Sequence, residues 1–196
     1  MVNYGRNIIG KGTTIFEPVV LGFPSQERIG ETDYPGTVIG KGSVIRSGTV
    51  IYCDVAIGDN LQCGHNILIR EKTTIGHHAT IGHSVVIDGN CEIGDYVRIQ
   101  ALAGICPYST IGNEVFIGPN AIFTNNRFPP DKRIEQGPLI NDKAVIGAGS
   151  IILPAVEVGA GSVVAAGSIV TRDVPPGMLA IGSPARFREL PDELQK

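Results

Sequence analysis

Isoleucine recurs every six residues through the middle of this 196-residue chain, and that period decides what the chain can fold into. Stepping by six from Ile39 reaches Ile45, Ile51, Ile57, Cys63, Ile69, Ile75, Ile81, Ile87, Ile93, Ile99, Ile105, Ile111, Ile117 and Phe123. Thirteen of these fifteen positions are Ile, and the whole window holds only fifteen Ile, so the phase is not accidental. The second residue before each is uncharged, from Thr37 and Ser43 to Val115 and Ala121. Residues i and i−2 of a strand share a face, so each hexad holds a short strand with one buried side. The residue after the Ile is often Gly, as at Gly40, Gly58, Gly76, Gly82, Gly94, Gly112 and Gly118. This predicts a tight turn that uses the permissive glycine backbone at that position.

Strands that all keep the same inward side cannot be hairpins, so the chain must wind as a coil. Three hexads make a triangular turn of eighteen residues, its strands stacked in parallel about 4.8 Å apart. Residues 39–128 supply five such turns; Ile9, Ile15 and Leu21 start one more, and Ile140, Ile146, Ile152, Val158, Val164 and Val170 give two more, ending at Pro175-Pro176. About eight turns form a rod near 40 Å long. The expected fold is all-β, a parallel β-helix over residues 1–183 interrupted by loops at 23–36 and 124–139, with a tail over 184–196 that turns helical from Pro191. Loops longer than about 12–15 residues in a compact repeat are usually functional or disordered. The second loop opens on Asn125 and Asn126 and carries Arg127, Lys132 and Arg133, groups suited to a sugar and a phosphate.

Composition mostly excludes. Gly and Pro number 26 and 13, Trp is absent, and 42% of residues are hydrophobic, too many for a solvated coil. A net charge of −3 argues against a nucleic-acid surface. No apolar run approaches the ~18 residues of a membrane span and the first six residues open no signal peptide, so a cytoplasmic protein without membrane contacts is expected. Cys53, Cys63, Cys91 and Cys106 fit neither a zinc nor a redox spacing. They read as reduced thiols, with Cys63 and Cys91 packing in register, and no metal site is expected.

The hexads, and the run VGAGSVVAAGSIVTRDVPPGMLAIGSPARF at the C-terminal end, resemble the hexapeptide-repeat acyltransferases. The segment VFIGPNAIFTNNRFPPDKR, with a resumed coil carrying ILP, is similar to the members that N-acetylate nucleotide-linked aminosugars. The resemblance implies a left-handed coil, a homotrimer with sites between subunits, and acetyl-CoA as co-substrate. It assigns the coenzyme to Ala148, Gly149, Ala165, Ala166, Gly167 and Ser168. Small residues on stacked strands leave room for an extended pantetheine, while Arg172, Arg186 and Lys143 offer cations for phosphates. This chain reads Gln100-Ala101-Leu102 where the aminosugar enzymes have Gln-Ser-Asn, and Asn126 where they have Asp.

Acyl transfer needs a proton acceptor and stabilisation of an oxyanion. His65 and His83 are eighteen residues apart and so occupy one corner of successive turns, about 5 Å apart; some relatives use a His base in a similar context. His83 and Asn125 are therefore the catalytic candidates, and His65, Tyr108, Asn120, Asn126, Arg127 and Arg133 the acceptor-binding ones. His77 shares its column with Asp59, Asp95 and Asn113 and reads as a solvated turn. Three other readings compete. The acyl group could go to oxygen instead of nitrogen, on the hydroxyl of a sugar or other small acceptor. A γ-carbonic-anhydrase-like metalloenzyme would use ATIGHSVVIDG, but the second His of that pattern is Asp88 here and the upstream ligand is Ser47. A non-catalytic scaffold would keep the hexads without a coenzyme end.

Overall fold

The computed structural model describes residues 1–128 and 136–194. They form a three-sided β-solenoid. Face A stacks nine strands, from Val2–Asn3 and Val20–Phe23 through Val50–Tyr52, Leu68–Ile69, Val86–Ile87 and Gly104–Ile105 to Ile169–Val170. Face B stacks eight, from Arg6–Ile9 to Glu157–Val158. Face C stacks ten, from Thr14–Ile15 through Val44–Ile45, Gln62–Cys63, Thr80–Ile81, Arg98–Ile99 and Phe116–Ile117 to the C-terminal hairpin. Rungs pair in parallel at the expected offset, Ile51 with Ile69 and Ile69 with Ile87 on face A, Ile75 with Ile93 on face B, Ile81 with Ile99 on face C.

The core is the inward column that the hexads foretell. Ile39, Ile45, Ile51, Ile69, Ile81, Ile87, Ile99, Ile105 and Ile111 are all at most 2% exposed. Each contributes about 1.5–3 kcal/mol by leaving water. The i−2 positions are buried too, and several of the Ser and Thr hydroxyls among them donate locally: Thr49 to the Arg46 carbonyl at 2.7 Å, Ser109 to that of Cys106 at 2.7 Å, Ser150 to that of Gly147 at 2.7 Å. All four cysteines are buried free thiols. Ile9, in phase with the core, is nonetheless 39% exposed, because its strand ends the face B stack and nothing covers it from below.

The turns differ from the sequence expectation. The left-handed residue is the third after the inward one, and in the central turns it is not glycine: Asp54, Asn60, Asn66, Lys72, His78, Ser84, Asn90, Tyr96, Leu102, Tyr108, Glu114 and Asn120 all have φ between 49° and 64°. The glycine directly after the Ile serves close approach instead. A Cβ on Gly58 would stand 2.8 Å from the Gly76 carbonyl carbon, and one on Gly64 2.8 Å from that of Gly82. Real Cβ atoms do not come so near backbone, so these two positions admit only glycine without local adjustment.

The loop after face A near the N-terminus holds a 3-10 turn, Gln26–Arg28, tied back by Arg28 to Asp54 at 3.3 Å and by Lys72 to Glu27 at 3.2 Å. At the other end the coil continues past Pro175-Pro176. Met178–Gly182 adds a parallel strand to face C, with Ala180 pairing Val164 at an offset of sixteen rather than eighteen, which hid it from the hexad count. Ala185–Glu189, expected as tail, folds back antiparallel on that strand, and the helical part is a single 3-10 turn at Asp192–Leu194. Among the described residues no helix is long and apolar enough to cross a membrane.

Candidate functional site

The three faces meet at three edges, and the side chains singled out from the sequence divide among them. The edge between faces C and A carries, from the N-terminal end upward, Ser47, His65, His83, Ala101, Pro119, Ala148 and Ala166 as successive rungs; backbone bonds link them, as from Ser84 to the His65 carbonyl and from Leu102 to that of His83. Asn120 lies on the same edge, its amide donating to the Ala101 carbonyl at 3.1 Å. The candidate coenzyme residues Ala148, Gly149, Ala165, Ala166 and Gly167 continue the edge upward. Gly149 and Gly167 have positive φ and open space where a side chain would stand, so this strip can receive an extended chain. Ser168 does not belong to that surface: it is 1% exposed, and its Oγ accepts the Gly182 N–H at 3.1 Å.

His65 and His83 stand together on the lower part of this edge. Their rings stack at 5.4 Å with planes 5° apart and, with Arg46, Gln62, Gly64, Thr80 and Gly82, line a depression of about 440 Å³. Ser47 Oγ lies 2.8 Å from His65 Nδ1. His83 Nδ1 accepts the backbone N–H of His65 at 3.1 Å. A backbone N–H can only donate, so the proton of neutral His83 sits on Nε2, and its outward atom is a hydrogen-bond donor. His65 differs: when its Nδ1–H donates to Ser47, its Nε2 is left with a free lone pair, the condition for accepting a proton. The same backbone-to-side-chain bond recurs on the edge between faces B and C, where Asp59 N donates to His77 Nδ1 at 3.0 Å and Asp95 N to Asn113 Oδ1 at 2.9 Å. That ladder runs over solvent-facing turns, as expected for His77.

Asn125, Asn126, Arg127 and Tyr108 lie on the remaining edge, between faces A and B. Asn126 Oδ1 accepts the Phe128 N–H at 2.9 Å, and Arg127 donates to the Pro154 carbonyl at 3.2 Å. Arg133 lies outside the described residues. Arg172 sits over the Phe187 ring at 4.8 Å and Lys143 is 4.0 Å from Glu114, the latter on the edge between faces B and C; Arg186 follows the hairpin turn above Ala166. The loop amides and the histidines are thus on different edges of one chain. The sequence held the signal: His83 and Asn125 differ by 42, two turns and one extra hexad, so a count by eighteen separates them.

Arg98 and Tyr96, which the sequence reading passed over, line a second depression beside Thr80. They stand at outward and corner positions where the hexad imposes no residue type, so only side-chain chemistry marks them.

Residues 66–107 and 90–125 match the bacterial transferase hexapeptide model of six repeats, and residues 140–172 the hexapeptide repeat of succinyl-transferase. An inferred acetyltransferase of Schizosaccharomyces pombe is 46% identical over 92 residues, 43% of this chain and 44% of that protein. A 2,3,4,5-tetrahydropyridine-2,6-dicarboxylate N-acetyltransferase of Staphylococcus aureus is 40% identical over 86 residues, 44% of this chain and 35% of that protein. The matched segment spans less than half the length of either relative. Among solved structures, the UDP-N-acetylglucosamine acyltransferase of Campylobacter jejuni shares the coil with a TM-score of 0.66 and 24% identity, over 95% of this chain and 73% of that one. Its hexads, its stacked parallel faces and these matches make the chain similar to the bacterial transferase hexapeptide-repeat proteins.

Proposed function

We propose that this chain is an acetyl-CoA-dependent acyltransferase that acetylates the amino group of a small acceptor, a nucleotide-linked aminosugar being the acceptor class the loop chemistry favours. The observation that carries the reading is the composition of one edge: a stacked histidine pair, with a strip of Gly and Ala above it on the same line. The pantetheine would lie along Gly147 to Gly149 and Ala165 to Gly167, with its thioester toward the histidines and Arg186, in the C-terminal hairpin, as the cation for its phosphates. When bound, acetyl-CoA supplies the activated acyl carbon. The acceptor nitrogen attacks that carbon, the carbon–sulfur bond breaks, and the amine proton leaves through His65 Nε2 or passes to the departing thiolate. His83 Nε2–H donates to the carbonyl oxygen as it gains charge.

The acceptor loop joins this site from another copy. Face A separates the histidine edge from the loop edge, and its outward column is apolar: Val50, Leu68, Val86, Ile122, Ile151 and Ile169, with Val86 40% and Ile122 47% exposed. Packing of copies about that column sets the Asn125–Arg127 edge of one against the histidine edge of the next, as a homotrimer requires. A second acceptor class has support in the Staphylococcus aureus relative, whose name gives a ring dicarboxylate as its substrate.

The test is thermal unfolding with and without millimolar acetyl-CoA, followed by thiol release in the presence of aminosugar nucleotides. Ligand-dependent stabilisation and acceptor-dependent thiol release are expected. Neither effect at saturating ligand would refute the reading and leave the scaffold one.

A further inference from the structure

Face C holds a second depression, of about 480 Å³, lined by His78, Thr80, Tyr96, Arg98 and Glu114. Thr80 also lines the depression beside His65 and His83, so the two are joined across the outward side of one strand. Thr80 is three residues from His83, about 10 Å of chain, and Arg98 pairs with Thr80 one rung higher, about 4.8 Å along the stack. A small extended molecule with its amine at the histidines therefore reaches Arg98.

Two independent features mark this depression as built for a ligand. Arg98 is exposed and lies over the Phe116 ring at 5.3 Å, and among the described residues no carboxylate pairs with it. Glu114, its neighbour in the depression, is directed to Lys143 at 4.0 Å instead. A guanidinium steadied on an aromatic ring and lacking an anion is ready to take one from outside. Beside it the rings of His78 and Tyr96 stack at 4.8 Å with planes 3° apart. Both residues are exposed, Tyr96 by 56%, so the stacked ring edges are open to a ligand lying beside Arg98.

We infer that this depression is the distal half of the acceptor site, binding at Arg98 an oxyanion of the acceptor, while the ring that bears it rests against the exposed edges of His78 and Tyr96. The inference rests on the acyltransferase reading. Phosphate and carboxylate present the same oxyanion chemistry to a guanidinium. The probes that separate them are UDP, for a nucleotide-linked acceptor, and pyridine-2,6-dicarboxylate, for a ring carboxylate.

Titration calorimetry of the full chain with each probe, repeated on Arg98→Ala and Arg98→Lys, tests the site, and acetyl-CoA protection is measured on the same samples. At least one probe should bind the parent chain, weaken about tenfold or more in Arg98→Ala, and recover in part in Arg98→Lys, with acetyl-CoA protection unchanged throughout. The tighter probe names the class. If neither probe binds, or Arg98→Ala leaves affinity within about twofold, the inference is overturned while intact acetyl-CoA protection keeps the transferase reading. Absence of that protection in the parent chain overturns both.

Discussion

The backbone N–H of His65 donates to Nδ1 of His83, 3.1 Å away on the next rung. This single bond fixes the tautomer of neutral His83 and makes its Nε2 a donor, the property that the proposed function uses to steady a carbonyl oxygen. His83→Asn provides the cleanest test, because Asn113 shows that an asparagine Oδ1 at such a corner accepts the backbone N–H of the rung below, at 2.9 Å. The variant should fold normally and lose about 10²–10³-fold in kcat, the usual cost of one oxyanion donor. His77→Asn, on the edge between faces B and C, should leave turnover unchanged. Equal effects of the two substitutions in a thiol-release assay would reduce the His83 column to the structural ladder that His77 occupies.

Ser47 is bonded to His65 at 2.8 Å and is the group that can leave Nε2 of His65 unprotonated. Ser47→Ala should therefore lower kcat while leaving KM for acetyl-CoA within about twofold, a pattern expected of a positioning residue. The Tm should change little, since an exposed hydroxyl away from the core contributes within about 0.5 kcal/mol. A rise in acetyl-CoA KM with kcat preserved would assign Ser47 to coenzyme contact instead.

Bulk on the upper part of the same edge should block the coenzyme. Ala148 and Ala166 are exposed and stack on neighbouring rungs, with the Gly167 amide donating to the Ala148 carbonyl at 2.8 Å. Leucine at either position has solvent to occupy and no core neighbour to disturb. Ala148→Leu and Ala166→Leu should keep the unfolding temperature of the free protein and lose the stabilisation by acetyl-CoA. Lys143→Ala, on another edge, should retain it. Full retention in both leucine variants would show that acetyl-CoA does not run along this strip.

Much of this architecture is written in the hexads, because one inward residue per strand is a demand that sequence must meet literally. Ile81 stacks under Ile99 since each has to fill the same cross-section of the prism. The turns were less legible. Gly58 and Gly76 looked like sites of unusual φ, whereas they mark contact between rungs; the unusual φ falls on residues as different as Asn60, Tyr96 and Leu102, which share no chemistry for a reader to recognise. The C-terminal hairpin was hidden for a related reason, since Ala180 pairs Val164 across an irregular offset and Ala185–Glu189 reverses direction, which no parallel repeat anticipates. At the site, the coil count brought His65 and His83 together correctly, but Arg98 projects from an outward position that the fold leaves unconstrained.

Thr73 tests the polar lining of the core. Its Oγ1 is the one buried side-chain oxygen or nitrogen without a hydrogen-bond partner among the described residues, whereas Thr49 at an equivalent i−2 position donates to Arg46 at 2.7 Å. Thr73→Val replaces the orphan hydroxyl by a methyl of the same shape and should stabilise the protein by about 1 kcal/mol. Thr49→Val should destabilise it by a similar amount. Thermal unfolding of both variants checks the pair, and a lower Tm for Thr73→Val would mean that its hydroxyl is satisfied after all.

The buried thiols set an alkaline limit on stability. Burial pushes Cys91 up from 9.0 to about 12, and Cys106 up to about 11. The Cys91 thiol lies 3.1 Å from the Gly89 carbonyl and 3.3 Å from that of Cys106, bonds that only the protonated sulfur can donate. In the unfolded chain these groups ionise from about pH 9, while the folded chain holds their protons. Their contribution to stability is therefore complete below pH 9 and is lost progressively as the pH rises through 11 and 12. Native protein at pH 8 should resist thiol reagents, because the reactive thiolate is suppressed and the sulfurs are covered. Cys91→Ala is a mild substitution, since Ala79, Ala103 and Ala121 fill the corresponding i−2 position in other hexads. It should narrow the gap between urea midpoints measured at pH 8 and pH 10.5. An unchanged gap in Cys91→Ala and in the Cys91→Ala/Cys106→Ala double variant would place the alkaline sensitivity elsewhere, with buried Tyr34, whose hydroxyl donates to the Gly22 carbonyl at 3.2 Å and which burial also pushes upward, as the next residue to replace.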